Sequence, residues 1–205
     1  MAIPNGEEAR RILAARDLPK GIVIHSEGVA VVAREAARLV SDAGIPVDER
    51  LVESAAILHD IDKPMTSRGK ADGPDGQHGE VGARMLERMG FAELAPAVAS
   101  HPVASVLDES RYPRGWVAVL VFLADKHVAQ EFLTIDERLD DMQRRYPRFS
   151  TQIDEARPRV HALEAELAEI AELEVGDLVE RLRTAWATQH LSASNWREAR
   201  GPSNR

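Results

Sequence analysis

The sequence predicts an all-α helical bundle, and three observations point to it. Apolar residues recur at spacings of three and four along most of the chain. The one long apolar run rich in β-branched residues, Trp116 to Val128, has no second segment that reads as a partner strand, so it is expected to be a buried central helix rather than a strand. Finally, 205 residues with 44% hydrophobic content are enough to bury one core.

Residues 1–20 read as an N-terminal extension or short helix. Val29, Val32, Ala33, Ala36, Leu39 and Val40 mark one face of a helix from about Gly21 to Ala43, which Gly44-Ile45-Pro46 ends. His25 lies on its first turns. Asp48 is placed to cap a second helix whose Leu51, Val52, Ala55, Ala56 and Leu58 lead to His59-Asp60, with Pro64 stopping it soon after. Residues 62–77 carry three Gly, two Pro and almost no large apolar side chain, the composition of a mobile loop.

Val81, Met85, Leu86 and Met89 define a helix from His78 to Met89, stopped by Gly90. Leu94, Ala97 and Val98 lead a shorter one to His101-Pro102. After the apolar helix, which Asp125 interrupts, amphipathic helices are expected over 134–145, 150–173 and 176–190. Their stripes of Leu163, Leu167, Ile170, Leu173 and Leu178, Leu182, Trp186 need burial, on the core or in a homodimer. The expected division is an extension over 1–20, a core over 21–133, C-terminal helices over 134–191 and a frayed tail over 192–205.

Charge narrows the function. With 26 basic against 34 acidic residues, a net of −8, no basic stripe invites a nucleic-acid backbone, and polymeric DNA or RNA is not expected as a partner. Trp116, Trp186 and Trp196 are scattered and form no evident base-stacking platform. No apolar run approaches membrane-spanning length, and the N-terminus lacks the basic and apolar regions of a signal peptide, so a cytoplasmic location away from membranes is expected. The chain has no cysteine, which leaves acid–base and metal chemistry.

His25, His59-Asp60, His78, His101 and Asp125 follow one another through the first two thirds of the chain, each in or beside a helical pattern. Neutral imidazoles and carboxylates suit a divalent transition metal, with Fe, Mn, Zn, Co and Ni all admissible. A lone His-Asp dipeptide is weak evidence. The ordered series is stronger, because a carboxylate in an apolar helix resists ionisation unless a cation offsets the desolvation.

This series resembles the HD-domain superfamily of metal-dependent phosphohydrolases, all-helical proteins named for a His…His-Asp…Asp ligand set. His25, His59, Asp60 and Asp125 match that set in order and helical context over about residues 20 to 130. His78 and His101 fall where members with two metals carry extra histidines. The resemblance implies an HD-domain bundle with additional C-terminal helices. The His78-Gly79…Gly82-Ala83 run and Leu123-Ala124-Asp125 look like the branch that splits diadenosine tetraphosphate symmetrically. His101-Pro102-Val103 and Asp125-Lys126-His127 depart from that branch, which tends to have a Thr-x-Gly type turn and aromatic, acidic and proline residues there.

By that resemblance Asp60 would bridge two metals, with His25, His59 and Asp125 completing one site and His78 and His101 the other. Two cations ~3.5–4 Å apart clamp a phosphate and lower the pKa of water. Lys63 resembles the basic residue of an extended His-Asp-x-x-Lys motif and would balance phosphate charge. Asp62, where many relatives carry Gly, is a candidate acid–base or supporting group. Asp60, Asp62 and Lys63 are thus the candidate catalytic residues, and Lys63, Arg68 and Arg84 the candidate substrate contacts, with Lys70 a further cation. His127, two residues past Asp125, falls on the opposite side of its helix, and His161 and His190 read as surface residues. The expected function is hydrolysis of a small phosphorylated compound, a nucleotide for preference. A nucleotide-sensing module without turnover and a di-iron oxygenase are the alternatives.

Overall fold

The computed structural model describes residues 3–63, 72–73 and 76–199, without the side chains of 72, 73, 76 and 190–199. Nine α-helices are delimited among these residues: α1 (Gly6–Ala14), α2 (Lys20–Asp42), α3 (Glu49–Leu58), α4 (Glu80–Arg88), α5 (Ala95–Ser100), α6 (Gly115–His127), α7 (Ile135–Arg145), α8 (Ser150–Ile170) and α9 (Val175–Ala199). Strand structure is confined there to an antiparallel ladder of two-residue strands, β1 (Asp72–Gly73) and β2 (Gly76–Gln77). The fold is all-α, as expected.

Local chemistry starts the helices. Asn5 and Glu8 form a capping box at α1, Asp48 accepts the amides of Arg50 and Leu51 at α3, and Thr134 and Glu137 form a second capping box at α7. Helix α6 is apolar on every side and is buried from Ala118 through His127. Long α2 lies against α3, α6 and α9. Gly28 permits that approach: a Cβ there would sit 2.9 Å from Val128 Cγ1 and 3.0 Å from Trp186 Nε1.

The C-terminal helices bury their apolar stripes within the chain itself. Leu163, Leu167, Leu178 and Leu182 are all at most 3% exposed, and Ile170, Leu173 and Trp186 pack against the same core. Helix α8 lies along the short 3₁₀ segment Val103–Leu107, and α9 along α2. None of the described helices is long and apolar enough to cross a membrane.

Three details depart from the sequence expectations. Helix α4 begins at Glu80 rather than His78, because Gly79 adopts φ +86°, outside the helical region, and puts His78 in a turn. The segment expected to be loop throughout 62–77 contains the β1–β2 pairing, while residues 64–71 and 74–75 lie outside the described residues. Helix α9 runs to Ala199, past the expected start of a frayed tail at 192, and residues 200–205 lie outside the described residues.

Candidate metal centre

Four helices and one turn bring the six candidate ligands together. His25 projects from the first turns of α2, His59 and Asp60 follow the end of α3, His78 occupies the turn before α4, His101 follows α5, and Asp125 lies near the end of α6. All are buried except His78, whose side chain is 27% exposed.

Asp60 divides the cluster. Its Oδ2 lies 3.7 Å from His25 Nε2 and 3.6 Å from His59 Nε2, while Asp125 Oδ1 is 3.1 Å and 3.6 Å from the same two nitrogens. Its Oδ1 faces the other way, 3.2 Å from His78 Nε2 and 3.5 Å from His101 Nε2. Two groups of donor atoms therefore share one carboxylate.

The outer ring atoms of three of the four histidines explain why their Nε2 atoms point inward. His59 Nδ1 donates to Ala56 O at 2.7 Å and His101 Nδ1 to Val98 O at 2.7 Å, each binding back onto the end of its own helix. His78 Nδ1 donates to Asp62 Oδ1 at 2.8 Å. Asp62 is fully buried, and its Oδ2 accepts the amides of Gly79 (2.8 Å) and Gly82 (3.2 Å), which ties the turn carrying His78 to the end of α3. Such outer hydrogen bonds set tautomer and ring direction at metal sites.

The inward nitrogens are paired closely, His25 with His59 at 3.1 Å and His78 with His101 at 3.0 Å. Two imidazole lone pairs at that separation repel unless a hydrogen on one nitrogen or a metal cation lies between them. Titration follows this arrangement. Burial opposes the charged form of His78, yet hydrogen bonds and the charges of Asp60 and Asp62 raise it to about 9. Burial lowers His101 to about 4, and the neighbouring histidines add to the effect, against the hydrogen bond of Asp60. Burial alone would push the Asp60 carboxyl up, but His59, Lys63, His101 and His78 outweigh it and hold Asp60 well below the usual carboxylate range. Two groups of these side chains could thus hold a divalent metal ion, His25, His59 and Asp125 in one and His59, Asp60 and His101 in the other, with His78 Nε2 3.2 Å from Asp60 Oδ1 beside the second.

Lys63 Nζ stands 3.4 Å from Asp60 Oδ2 with its side chain 31% exposed, at the boundary between cluster and solvent. Arg84 lies on an exposed part of α4, 4.0 Å from Glu80. Arg68 and Lys70 lie outside the described residues.

Lys126 carries no role in the sequence reading. Its ammonium is fully buried, 2.5 Å from Asp125 Oδ2 and 2.8 Å from the carbonyl of His101, so it spans both donor groups from behind. Burial favours its neutral form, whereas Asp125 favours the charged one. The available signal was a cation adjoining the only acid of an otherwise apolar helix.

His127 turns away from the cluster, as its register predicts. Its Nδ1 donates to Leu133 O at 3.0 Å and its Nε2 lies 3.2 Å from buried Glu164 of α8. His161 is 40% exposed and touches Asp136 and Glu164, and the side chain of His190 lies outside the described residues.

Comparison with known proteins adds one finding. A family model described as HD domain matches residues 22–130, a span that includes all six clustered candidate ligands. No curated protein and no solved structure matches the chain.

Proposed function

Because the chain belongs to the HD-domain family, whose members are mostly metal-dependent hydrolases, we propose that it hydrolyses a small phosphorylated compound, a nucleotide for preference, with water activated at one or two divalent cations. The observation that carries this reading is Asp60, with one oxygen turned to each of two histidine-rich donor groups.

His25, His59, Asp60 and Asp125 would hold one cation, and His78, His101 and Asp60 a second. Such cations polarise a phosphoryl oxygen and bring the pKa of water toward neutrality, help that phosphate esters need because their uncatalysed hydrolysis is among the slowest reactions known. Lys63 stays charged, chiefly because Asp60 lies beside it, and provides a point cation for the substrate phosphate. Asp62 acts through His78: with its oxygens engaged by that imidazole and two amides, it holds the ring rather than exchanging protons with substrate. Lys126 holds Asp125 Oδ2 and leaves Oδ1 toward His25 and His59.

The test is phosphate or nucleotide release from nucleoside mono-, di- and triphosphates and dinucleoside polyphosphates with Mn²⁺, beside an Asp60→Asn variant and with metal content measured on both. Multiple turnover by the wild type, falling to background together with metal content in the variant, is the expected result. Full turnover in Asp60→Asn would remove the cluster from the reaction, and a metal-loaded wild type silent on every substrate would defeat hydrolysis.

A further inference from the structure

Among the described residues only two aromatic side chains are largely exposed, Tyr146 at 48% and Phe149 at 38%, and they flank a single Pro-Arg pair just past the end of α7. Two exposed rings this close together are costly to leave bare in water unless something covers them. Arg148 lies over the Phe149 ring at 4.6 Å, a cation–π contact that steadies the ring. Arg144 and Arg145 lie on the last turn of α7, their side chains 70% and 57% exposed beside Asp141. In a chain of net charge −8 this corner collects arginines beside bare aromatic faces.

The corner is tied to the metal cluster. Helix α7 starts beside it, with Arg138 Nε donating to the carbonyl of Asp125 at 3.4 Å. From Arg138 the helix advances ~12 Å to Tyr146 at 1.5 Å per residue, a distance on the order of a nucleotide's own length. The other end of the link is Lys63, whose ammonium has the Tyr146 side chain within electrostatic range. Lys63 in turn stands 3.4 Å from Asp60.

We propose that Tyr146 and Phe149, with Arg148 behind the latter, form the stacking surface for the base of a nucleotide whose phosphate reaches Lys63 and the metal cluster. Stacking on aromatic faces tolerates any base, and the arginines favour an anionic ligand over a free nucleoside. The inference deepens the proposed hydrolase reading and rests on it for the position of the phosphate.

The experiment measures binding, at a temperature and over times at which no phosphate is released from either probe, so that it does not depend on turnover. Adenosine 5′-monophosphate and ribose 5-phosphate, which differ only in the base, are titrated calorimetrically into Mn²⁺-loaded wild type, Y146A/F149A and Y146F. The wild type is expected to prefer the nucleotide by roughly 5- to 100-fold, the effect of one or two stacked contacts. In Y146A/F149A that ratio is expected to collapse toward one, and Y146F, which keeps the ring, should retain it. Both rings are exposed, so the double substitution is not expected to disturb folding. Equal affinity of the wild type for both probes, no nucleotide binding, or a preference surviving in Y146A/F149A overturns the proposal. Ring-dependent nucleotide binding with no turnover on the substrate panel would defeat hydrolysis and leave the stacking surface standing. Turnover without base preference would do the reverse.

Discussion

Imidazole binds a metal only through a free lone pair, and His78 and His101 reach that state by different routes. In the metal-free protein His101, at about 4, is neutral throughout the physiological range, whereas His78, at about 9, holds a proton that a cation must displace. His59 is also raised: burial opposes its charged form, but Asp60 and Asp125 outweigh it. Metal uptake near pH 7 is therefore expected to release at least one proton, and affinity to rise by up to ~10-fold per pH unit for each proton released until pH approaches 9. Calorimetry in buffers of differing protonation enthalpy counts the protons. Uptake at pH 7 with none released would show that His78 is already neutral. The ligands were legible as residue types in order, because each is marked in the sequence by an adjoining helix end or an apolar run. The Asp62–His78 bond was not legible, since 16 residues that include a Gly-rich stretch separate the partners.

At the scale of elements, α6 and α8 are joined by a buried histidine–glutamate pair as well as by apolar packing. His127 and Glu164 have side chains 1% and 5% exposed. Removing the carboxylate strands a buried ring nitrogen, and a buried polar group without its partner costs about 1–3 kcal/mol. Glu164→Ala is expected to lower the unfolding free energy measured in urea by that amount, seen as a lower midpoint with little change in slope; an unchanged midpoint would mean that water replaces the pair. Periodicity predicted α2, α3 and α6 to within a few residues because their apolar faces are unbroken. It placed the start of α4 two residues early, because the apolar spacing of Val81, Met85 and Leu86 runs on smoothly while the backbone has already turned at Gly79. The same limit hid the role of Glu164: a buried glutamate and a surface one read alike on an amphipathic helix.

Across the whole molecule, a cation held by the cluster would act as a staple. It would join α2, α3, the turn before α4, α5 and α6, elements that otherwise meet only through apolar packing and scattered polar bonds. A ligand that binds only the folded state at 100 times its dissociation constant adds about 2.7 kcal/mol, and each kcal/mol moves the melting temperature of a protein this size by about 2–4 °C. Chelation is thus expected to lower Tm by roughly 5–10 °C, and Mn²⁺ to restore it. A melting curve indifferent to metal would separate the cluster from the stability of the fold. The all-α class was legible from the absence of partner strands. That the C-terminal stripes close on their own chain was not, because an apolar stripe carries no mark of whose surface will cover it.

The spacing of the six ligands has a consequence for how the protein is made. The candidate ligands extend from His25 to Asp125, so a chain still emerging from the ribosome holds at most a partial cage until Asp125 has been synthesised. Early fragments expose histidines singly or in pairs, which bind metal weakly and without geometric discrimination. A metal held by this cluster would therefore be selected only once α6 has docked against α2, when the ion would meet a preformed cavity rather than a searching chain.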